Sequence, residues 1–509
     1  MVFHSILSDK DQAPQETAEQ PDFFLDLNLD QVIDAVVARR EEYDLKPLFY
    51  TPLRDAATIR YRHAVMRDLE DLALRAQIKA FAGSMATVRR YLGVAEKSDF
   101  NYHKKGWFLE AALVYCQAAT DLAHNLEGAP LHSPGLLAFR EHTAHYVHSQ
   151  EFQILCTEAR KVKAGLSNVR YGVIVQVGKF SVLKYEGEPD YSVDVERTFE
   201  RFRQGAVKSY GSDLHKRAGM NHIQAQILDF VARLYPDRFA ALDDFCSAHG
   251  QFVEETMRAF DREIQFYIAY LEFIEDIKNI GLPFCYPQVE ATGRAEFNHE
   301  GFDLALARKL LHTETPIVCN DFHLKEPERM IVVSGPNQGG KTTFARTFGQ
   351  VHYLASVGCP VPGRKAQLSL FDQIFTHFEK QEDIRNLRGK LEDDLLRIHE
   401  ILAHATQNSI LILNEVFAST TLQDAIFLSK EIMSRVTQLG LLGVWVTFID
   451  ELASFSEKTV SMVSTVVPEN PAERTFKIVR RPADGLAYAL SLAEKHRLTY
   501  AQITERLKA

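Results

Sequence analysis

Apolar residues in the first part of the chain recur mostly at the spacing of a helix. Leu29, Val32 and Val36 fall on one helical face at steps of three and four, and similar patterns continue to about residue 150 and return after residue 218. Between them the pattern changes to two β-rich runs joined by a short turn. The pattern predicts a mainly α-helical region over 23–300 with a small β-rich insert near 166–195.

Strand-like and helical runs alternate after a break at 281–283 and continue to about residue 480. This alternation is typical of an α/β domain with a parallel sheet, which we assign to 301–509. The last amphipathic run, 486–507, is expected to form a helix that ends this domain. The polar mixture at 1–22 predicts a flexible N-terminal tail.

The composition is that of an ordinary soluble globular protein. Of the 509 residues, 46% are hydrophobic and 25% are charged, which suits about three domains of roughly 100–200 residues each. The formal net charge of −10, from 58 basic and 68 acidic residues, excludes a uniformly basic nucleic-acid-binding protein. One stretch, 157–217, runs against this balance, with 12 Lys or Arg and 8 Asp or Glu. It is either a solvated surface or a local contact to nucleic acid.

The cysteines and the N-terminal segment indicate where the protein works. Six cysteines lie dozens of residues apart without paired spacing, which favours free thiols in a reducing compartment over a disulfide framework or a zinc site. The first residues contain neither the apolar nor the basic part of a secretory signal. The most apolar late run, 441–449, is too short to cross a bilayer. We therefore expect a cytoplasmic protein that has no membrane partner.

One glycine-rich motif indicates a nucleotide site. An apolar run, 330–334, precedes a G-x-x-x-x-G-K-[ST] sequence, and a helix-compatible run begins at Thr343, which we include among the nucleotide-binding residues. The glycines let backbone N–H groups turn toward an anion, and the helix N-terminus adds partial positive charge. We expect Lys341 to reach the β- and γ-phosphates of ATP and the Thr342 hydroxyl to join a Mg²⁺ shell. This phosphate loop consists of Gly335, Pro336, Asn337, Gln338, Gly339, Gly340, Lys341 and Thr342.

A second nucleotide motif should follow on a buried strand, and residues 409–413 supply one. Asn414 then occupies the position where an aspartate normally helps to hold Mg²⁺, while Glu415 is available to orient or deprotonate the attacking water. An amide oxygen can accept a hydrogen bond from a metal-bound water, but it lacks the charge that helps to bind the ion. The sequence therefore predicts ATP binding with slow hydrolysis and leaves open whether ATP is turned over at all.

These residues resemble the MutS family of DNA mismatch-repair ATPases. The phosphate loop is similar to that family's GPN-x-GGK-[ST] form, which is more specific than a generic phosphate-loop motif. The resemblance covers 300–509 well and 23–300 more loosely. Further similarities are the pair Asn320 and Asp321, the G-x-x-VP turn at 358–362, the D-x-IFT strand at 372–376, the signature-loop residues Thr420, Thr421 and Asp424, and the closing segment 484–507.

The resemblance implies a helical core and lever region followed by an ABC-type P-loop ATPase domain that binds ATP and Mg²⁺. It also implies a dimer, here a homodimer, formed through the ATPase domain and its C-terminal helices. In that arrangement Thr420 and Thr421 of one copy face the γ-phosphate bound by Lys341 and Thr342 of the other. The family's levers carry a clamp that touches the DNA backbone, and the β-rich insert is the candidate here. DNA contact would then have little sequence specificity.

Four departures from the family's pattern bear on function. The chain starts at the core region, without room for the mismatch-reading and connector domains, so mismatch recognition is not expected. Asn414 replaces the aspartate, Phe448 takes the position of a switch histidine, and Ser419 stands where the signature loop has glycine. The last three departures favour weak or altered turnover.

Three functions are compatible with this pattern. The leading interpretation is a dimeric, ATP-gated clamp that acts on DNA in repair or recombination. The alternative is a nucleotide-gated scaffold that does not hydrolyse ATP, which Asn414, Phe448 and the net charge of −10 favour. A third function, that of a different ABC-type ATPase, is disfavoured by the GPN-x-GGK form of the loop.

A histidine cluster in the helical region offers a separate candidate site. His142, His145 and His148 follow one another at steps of three, which brings neighbouring members close on a helix. The sequence supplies no cysteine or suitably spaced glutamate to complete a metal site. The cluster is therefore either a metal site or an ordinary polar helix face.

Overall fold

The structure is a computed structural model that describes residues 3–10, 16–177, 179–187, 220–290, 295–378, 389–483 and 504. Two compact units divide the chain. The domain boundaries predicted from the sequence stay a prediction. The first unit consists of Met1–Phe3, Asp71–His132 and Leu136–Asp261, and the second of His4–Glu70, Ser133–Gly135 and Arg262–Ala509.

Helices dominate the first half of the described chain, and strands are concentrated in the second. This confirms the predicted combination of a helical region with an α/β region. The α-helices are Phe23–Leu27, Leu29–Val37, Lys46–Tyr50, Ala56–Asp68, Leu72–Lys97, Asn101–Glu127, Pro134–Val147, Gln150–Ser167, His222–Leu234, Pro236–Ala248, Glu255–Asn279, Leu304–Leu310, Lys341–Ser356, Lys390–His404 and Leu422–Leu439. The strands are β1 (Tyr171–Gln176), β2 (Lys179–Lys184), β3 (Phe284–Cys285), β4 (Gln288–Glu290), β5 (Ala295–Gly301), β6 (Asn320–Lys325), β7 (Met330–Ser334), β8 (Val361–Pro362), β9 (Lys365–Ser369), β10 (Ile374–Phe378), β11 (Ile410–Asn414), β12 (Leu442–Val446), β13 (Thr459–Val467) and β14 (Asn470–Arg480).

Two long helices, Leu72–Lys97 and Asn101–Glu127, pack against each other in the first unit. The first of them begins where the Asp71 carboxylate accepts hydrogen bonds from two N–H groups of the first turn, which satisfies donors that a helix start leaves unpaired. Aromatic rings fill part of the interior of this unit, and the rings of Phe139 and Phe260 stack with their centroids 3.6 Å apart. The unit is therefore held mainly by helix-to-helix packing.

Strands β1 and β2 form an antiparallel hairpin in the first unit, with Tyr171 opposite Lys184 and Gln176 opposite Lys179. This confirms the two β-rich runs predicted for this region. Apolar side chains of the hairpin are exposed, since Ile174 is 49% exposed. The rest of the predicted insert, 188–195, and the end of the basic stretch at 188–217 lie outside the described residues.

A six-stranded sheet in the order β10-β11-β12-β7-β13-β14 forms the centre of the second unit. Its neighbours pair in parallel except for β13 and β14, which are antiparallel. Strands β7, β11 and β12 are buried at every position, as expected for a parallel sheet covered on both faces. This sheet confirms the predicted alternation of strands and helices. A four-stranded sheet, β4-β9-β5-β6, and the pair β3-β8 complete the unit.

Helices cover the six-stranded sheet from two sides. On one face Leu411, Leu413 and Trp445 pack with buried residues of the helices Lys390–His404 and Leu422–Leu439. On the other face lies the helix Lys341–Ser356, which approaches so closely that a Cβ on its Gly349 would be 2.7 Å from Ile412 Cδ1. The carboxyl ends of the parallel strands meet at one edge of this layered structure, which is the usual location of ligand sites in such folds.

The N-terminal segment differs from the flexible tail predicted for residues 1–22. Ile6 is fully buried in the second unit, and its N–H donates to Glu263 Oε2 at 3.0 Å. The Ser5 hydroxyl donates to Glu263 Oε1 at 2.9 Å, and the Tyr267 hydroxyl donates to the Ile6 carbonyl. The prediction is wrong for residues 5–7, because these residues are buried and the Ile6 backbone is hydrogen-bonded, and it stays a prediction for the rest of 1–22.

The remaining predictions concern the cysteines, membrane spans, location and the C-terminal segment. All six cysteines are free, as expected. Among the described residues, no helix has both the length and the apolar character needed to span a bilayer. The cytoplasmic location stays a prediction. The closing segment 484–507 lies outside the described residues except for Thr504.

Candidate nucleotide-binding site

The phosphate loop joins β7 to the helix Lys341–Ser356, as the sequence predicts. Gly335 and Gly340 have φ values of 111° and 87°, which residues other than glycine rarely adopt. A Cβ on Gly339 would lie 2.2 Å from Ser464 Oγ, so only glycine fits at this point of close approach. The loop therefore brings backbone N–H groups and a helix N-terminus to one place, which is an arrangement that suits an anion.

Two residues outside the recognised motifs support the loop from neighbouring strands. The Ser464 hydroxyl on β13 donates to the Gly339 carbonyl at 2.7 Å. Arg474 Nε on β14 donates to the Asn337 carbonyl at 3.2 Å. Neither residue is predictable from the sequence, because neither belongs to a local motif and their proximity to the loop depends on the strand order β7-β13-β14.

Lys341 lies inside the loop and is only 6% exposed. Its Nζ donates to the carbonyl oxygens of Gly335 and Pro336 at 2.9 and 3.2 Å, and it lies 3.9 Å from Glu415 Oε1. Burial lowers the pKa of Lys341 from its usual value, while the Glu415 carboxylate acts to raise the pKa and Arg474 to lower it further. Burial thus penalises the charge of Lys341, and an anion bound at the loop would stabilise it.

Thr342 and Asn414, the predicted metal residues, contact each other directly. The Thr342 hydroxyl donates to Asn414 Oδ1 at 2.9 Å across the gap between the helix and the end of β11. This oxygen is neutral, and the other terminal atom of Asn414 is an NH₂ group that does not bind cations. The pair therefore fits a divalent cation that is held by one hydroxyl, one amide oxygen and phosphate oxygens, with less charge than a carboxylate would provide.

Glu415 follows Asn414 in a turn with unusual backbone geometry. Its φ is 55° and that of Phe417 is 65°, both in the left-handed region that bulky residues rarely adopt. The Glu415 N–H donates to the Val446 carbonyl of β12 at 2.9 Å, and the Phe417 side chain is fully buried. The turn is therefore fixed by tertiary contacts. Such contacts are needed, because a strained backbone persists only where the surrounding structure imposes it.

The predicted signature-loop residues lie on the surface at the start of the helix Leu422–Leu439. The Thr421 hydroxyl caps this helix, accepting from the Asp424 N–H at 3.3 Å and donating to Asp424 Oδ2 at 2.7 Å. Ser419 is exposed and Thr420 is half-buried. Within the described structure Thr421 and Asp424 form a local helix cap, and the role of Thr420 and Thr421 toward a second copy stays a prediction.

Two exposed aromatic residues belong to this side of the sheet. Phe448 follows β12 and is 51% exposed, which agrees with its position after the buried strand. Phe476 on β14 is 49% exposed and lies near the loop, because a Cβ on Gly340 would be 3.7 Å from it. Asn320, noted in the sequence, donates from Nδ2 to the Phe476 carbonyl at 3.1 Å. Phe476 belongs to no motif that the sequence reveals.

The histidine cluster of the first unit makes ordinary polar contacts. His142 Nε2 lies 3.5 Å from Glu254 Oε1, and His148 Nδ1 lies 2.7 Å from the Ala144 carbonyl. In the part of the chain that the structure describes, no group of three His, Cys, Asp or Glu residues is arranged to hold a metal ion. The contacts of His142 and His148 are those of the polar helix face that was the alternative to a metal site.

Comparison with known proteins relates the second unit to one family. Residues 331–500 match the family model of MutS domain V. The chain is 27% identical over 248 residues to the DNA mismatch repair protein MutS of Geobacillus kaustophilus (strain HTA426), a match that covers 48% of this chain and 27% of that protein. It is 25% identical over 254 residues to the protein of the same name from Bacillus pumilus (strain SAFR-032), covering 47% of this chain and 29% of that protein. The match thus spans about a quarter of the length of these curated relatives.

Proposed function

Because this chain is related to the MutS family through the domain V at residues 331–500, we propose that it is an ATP-binding protein with an ABC-type P-loop ATPase fold in its second unit. The observation that carries the proposal is the convergence of Lys341, Thr342, Asn414 and Glu415 at one loop. These four residues come from two segments of the sequence that lie more than 70 positions apart. Their meeting point is where a nucleoside triphosphate and its cation would be bound.

Binding of the triphosphate rests on the backbone and on one lysine. The loop N–H groups donate to phosphate oxygens, and the Lys341 ammonium, freed from the Gly335 and Pro336 carbonyls, pairs with the β- and γ-phosphates. These bonds are charge-assisted and are therefore roughly twice as strong as those between neutral groups. We expect ATP to bind with or without rapid hydrolysis.

Hydrolysis depends on side chains at the end of β11 and in the turn after it. Thr342 and Asn414 would hold Mg²⁺, which neutralises phosphate charge and polarises the terminal phosphoryl group. Asn414 supplies an oxygen but no negative charge, so the site holds the cation less strongly than one with an aspartate. Glu415 Oε1 is 3.9 Å from Lys341 Nζ. From there the carboxylate would orient the attacking water or accept a proton from it. We infer slow turnover with Glu415 as the catalytic residue.

Nucleotide binding is tested with a fluorescent ATP analogue and the variant Lys341→Ala. We expect the variant to lose at least about a hundredfold in affinity, since it removes charge-assisted bonds worth roughly 1.5–3 kcal/mol each. Lys325→Ala is the matched control, because Lys325 is exposed on β6 of the same unit. Equal affinities of Lys341→Ala and the parent protein would refute the assignment of the loop.

The proposal extends to a dimeric, ATP-gated clamp on DNA. The β1-β2 hairpin exposes Lys179 and Lys184 together with apolar side chains, which suits contact with a charged backbone. The exposed Thr421 end of the helix Leu422–Leu439 is the surface that would meet the nucleotide of a second copy. Light scattering with and without ATP tests the homodimer, and a monomer under both conditions would refute it.

DNA binding is tested by anisotropy of labelled duplexes across a salt series. We expect affinity to fall steeply as salt rises, with similar values for mismatched and plain duplexes. The double variant Lys179→Glu and Lys184→Glu should weaken binding and flatten the salt dependence, whereas Lys309→Glu, exposed in the second unit, should not. Absence of binding at low salt, or an affinity that is independent of salt, would contradict the clamp.

A nucleotide-gated scaffold without hydrolysis is the second candidate. Asn414 and the exposed Phe448 favour it, because the site then lacks both the usual aspartate charge and an ionisable group at position 448. Steady-state hydrolysis at background level that Glu415→Gln leaves unchanged would support the scaffold and remove the enzyme. A measurable rate that Glu415→Gln abolishes would do the reverse.

A further inference from the structure

The helix Lys390–His404 carries one acidic residue on the face that otherwise packs against the sheet. Ile398 and Ile401 of this helix are buried in the core, and Leu391 packs against the same cluster. Asp394 lies three residues after Leu391 and four before Ile398, so it belongs to the same stripe of the helix. A position that packing alone would fill with an apolar residue is therefore occupied by a carboxylate.

The Asp394 carboxylate connects two parts of the site. Its Oδ1 lies 2.8 Å from His377 Nε2, and its Oδ2 accepts from the Phe417 N–H at 3.4 Å. His377 is only 2% exposed, and it points to this helix because it shares the face of β10 with Phe375, two residues earlier, which packs on the same core cluster. Each carboxylate oxygen thus has its own partner, one on a strand and one in the turn after β11.

The turn that Asp394 contacts is the one that carries Glu415. Glu415 and Phe417 both have left-handed backbone, which is disfavoured for such residues without support from their surroundings. On the side of β12 the support is the bond from the Glu415 N–H to the Val446 carbonyl. On the side of β10 the support is the bond from the Phe417 N–H to Asp394. The direction of the Glu415 side chain therefore depends on contacts from both sides.

We propose that His377 and Asp394 act as positioning residues that fix the turn 415–417 and thereby direct Glu415 toward the phosphate loop. His377 fixes the orientation of the carboxylate, and the carboxylate holds the Phe417 N–H. This role rests on the proposed function, because it concerns the same hydrolysis reaction. Neither residue needs to touch the nucleotide.

The test compares Asp394→Asn with Glu392→Gln, in the parent protein and in Asn414→Asp. The asparagine has one oxygen in place of two, so it can accept from His377 or from Phe417 but not from both. Glu392→Gln removes the same formal charge from the same helix start, where Glu392 is exposed. We expect Asp394→Asn to lower kcat by at least about tenfold, as for a misdirected general base, while ATP affinity changes less than about twofold. Glu392→Gln should change neither quantity.

A second comparison separates positioning from loss of structure. His377→Phe keeps a ring at the position and removes the bond to Asp394, so it should reproduce the loss in kcat. Combining Asp394→Asn with Glu415→Gln should cause no further loss beyond Glu415→Gln alone, because both changes act on the same group. A kcat of Asp394→Asn within about twofold of its parent, or fully additive losses in the double variant, would overturn the proposal.

The proposed function can fail in a different and recognisable way. If the parent protein and Asn414→Asp both lack turnover, and Glu415→Gln changes nothing, then hydrolysis itself is refuted and the positioning role is refuted with it. If turnover depends on Glu415 but not on Asp394, only the positioning role is refuted.

Discussion

The nucleotide site has two halves, the phosphate loop and the end of β11 with the turn after it. The two halves differ in how well their residues suit the binding and hydrolysis of ATP. In the phosphate loop, glycines hold the left-handed positions 335 and 340, Gln338 holds a third with a φ of 60°, and Lys341 is buried among hydrogen-bond acceptors. In the half formed by the end of β11, a neutral Asn414 replaces a charge, and two left-handed positions are occupied by Glu415 and Phe417. Binding a triphosphate requires mainly the first half, whereas hydrolysing it requires both.

This difference separates two properties that usually occur together. Asn414 still accepts the Thr342 hydroxyl at 2.9 Å, so the geometry at the end of β11 is kept while the negative charge is absent. A change of this kind leaves the fold and the triphosphate-binding loop unaltered and acts on the cation and the reaction. We therefore expect substitutions in the phosphate loop to affect ATP affinity, and substitutions at the end of β11 or in the turn after it to affect turnover.

The largest effect is expected for Gly339→Ala in the loop. A Cβ at this position would meet Ser464 Oγ at 2.2 Å and the Pro336 carbonyl at 2.9 Å, so the loop must shift. We expect ATP affinity to fall at least about a hundredfold, roughly 2.7 kcal/mol. Gly83→Ala is the control, because a Cβ there has no neighbour within 4 Å.

Removing part of the obstruction sharpens this test. The double variant Gly339→Ala and Ser464→Gly should recover part of the affinity, since the serine side chain is gone while the Pro336 carbonyl remains. ATP affinity is measured by titration with a fluorescent ATP analogue. Unchanged affinity of Gly339→Ala would contradict the assignment of triphosphate binding to the phosphate loop.

Withdrawal of Mg²⁺ should give an intermediate effect that depends on the second half. With EDTA present, we expect the ATP affinity of the parent protein to change by less than about threefold, because the neutral Asn414 side chain offers no negative charge to attract the cation. In Asn414→Asp the same treatment should lower affinity by about tenfold. Equal losses in the two proteins, measured by the same titration, would show that position 414 does not take part in holding the cation.

The smallest effect is expected for Phe448→His. Phe448 is 51% exposed, so the change should alter the free energy of unfolding by less than about 0.5 kcal/mol. An imidazole at the carboxyl end of β12 can exchange a proton or donate a hydrogen bond where phenylalanine cannot, and we expect turnover to rise about threefold. Phe230→His, an exposed position of the first unit, serves as the control. A fall in turnover would assign a supporting role to the phenylalanine.

The contrast between the halves also explains what the sequence could predict. The phosphate loop is contiguous, so its spacing alone identifies Lys341 and Thr342, and the buried strand before Asn414 identifies Glu415. Ser464 supports Gly339 from 125 positions away in the sequence, and this proximity depends on β13 lying beside β7. Strand order of this kind is set by the packing of the whole sheet and leaves no local mark.

Two residues leave a weak signal in the sequence. Asp394 follows the acidic Glu392 and Asp393 in the sequence, but its spacing to Ile398 and Ile401 puts it on the face of the helix that packs on the sheet. The short apolar segment at Ile6 was too brief to be recognised as core within a polar stretch, although it is fully buried. For Asp394, the position on the helix face carries information that polarity alone does not.

The most direct test of the central claim is the turnover and ATP affinity of Asn414→Asp compared with those of the parent protein. The carboxylate restores charge at an oxygen that already contacts Thr342, so no rearrangement is required. We predict that kcat rises by about tenfold or more while the affinity for ATP changes by less than about threefold. An unchanged kcat, with Mg²⁺ present and the variant folded, would contradict the claim that the missing charge at position 414 limits hydrolysis.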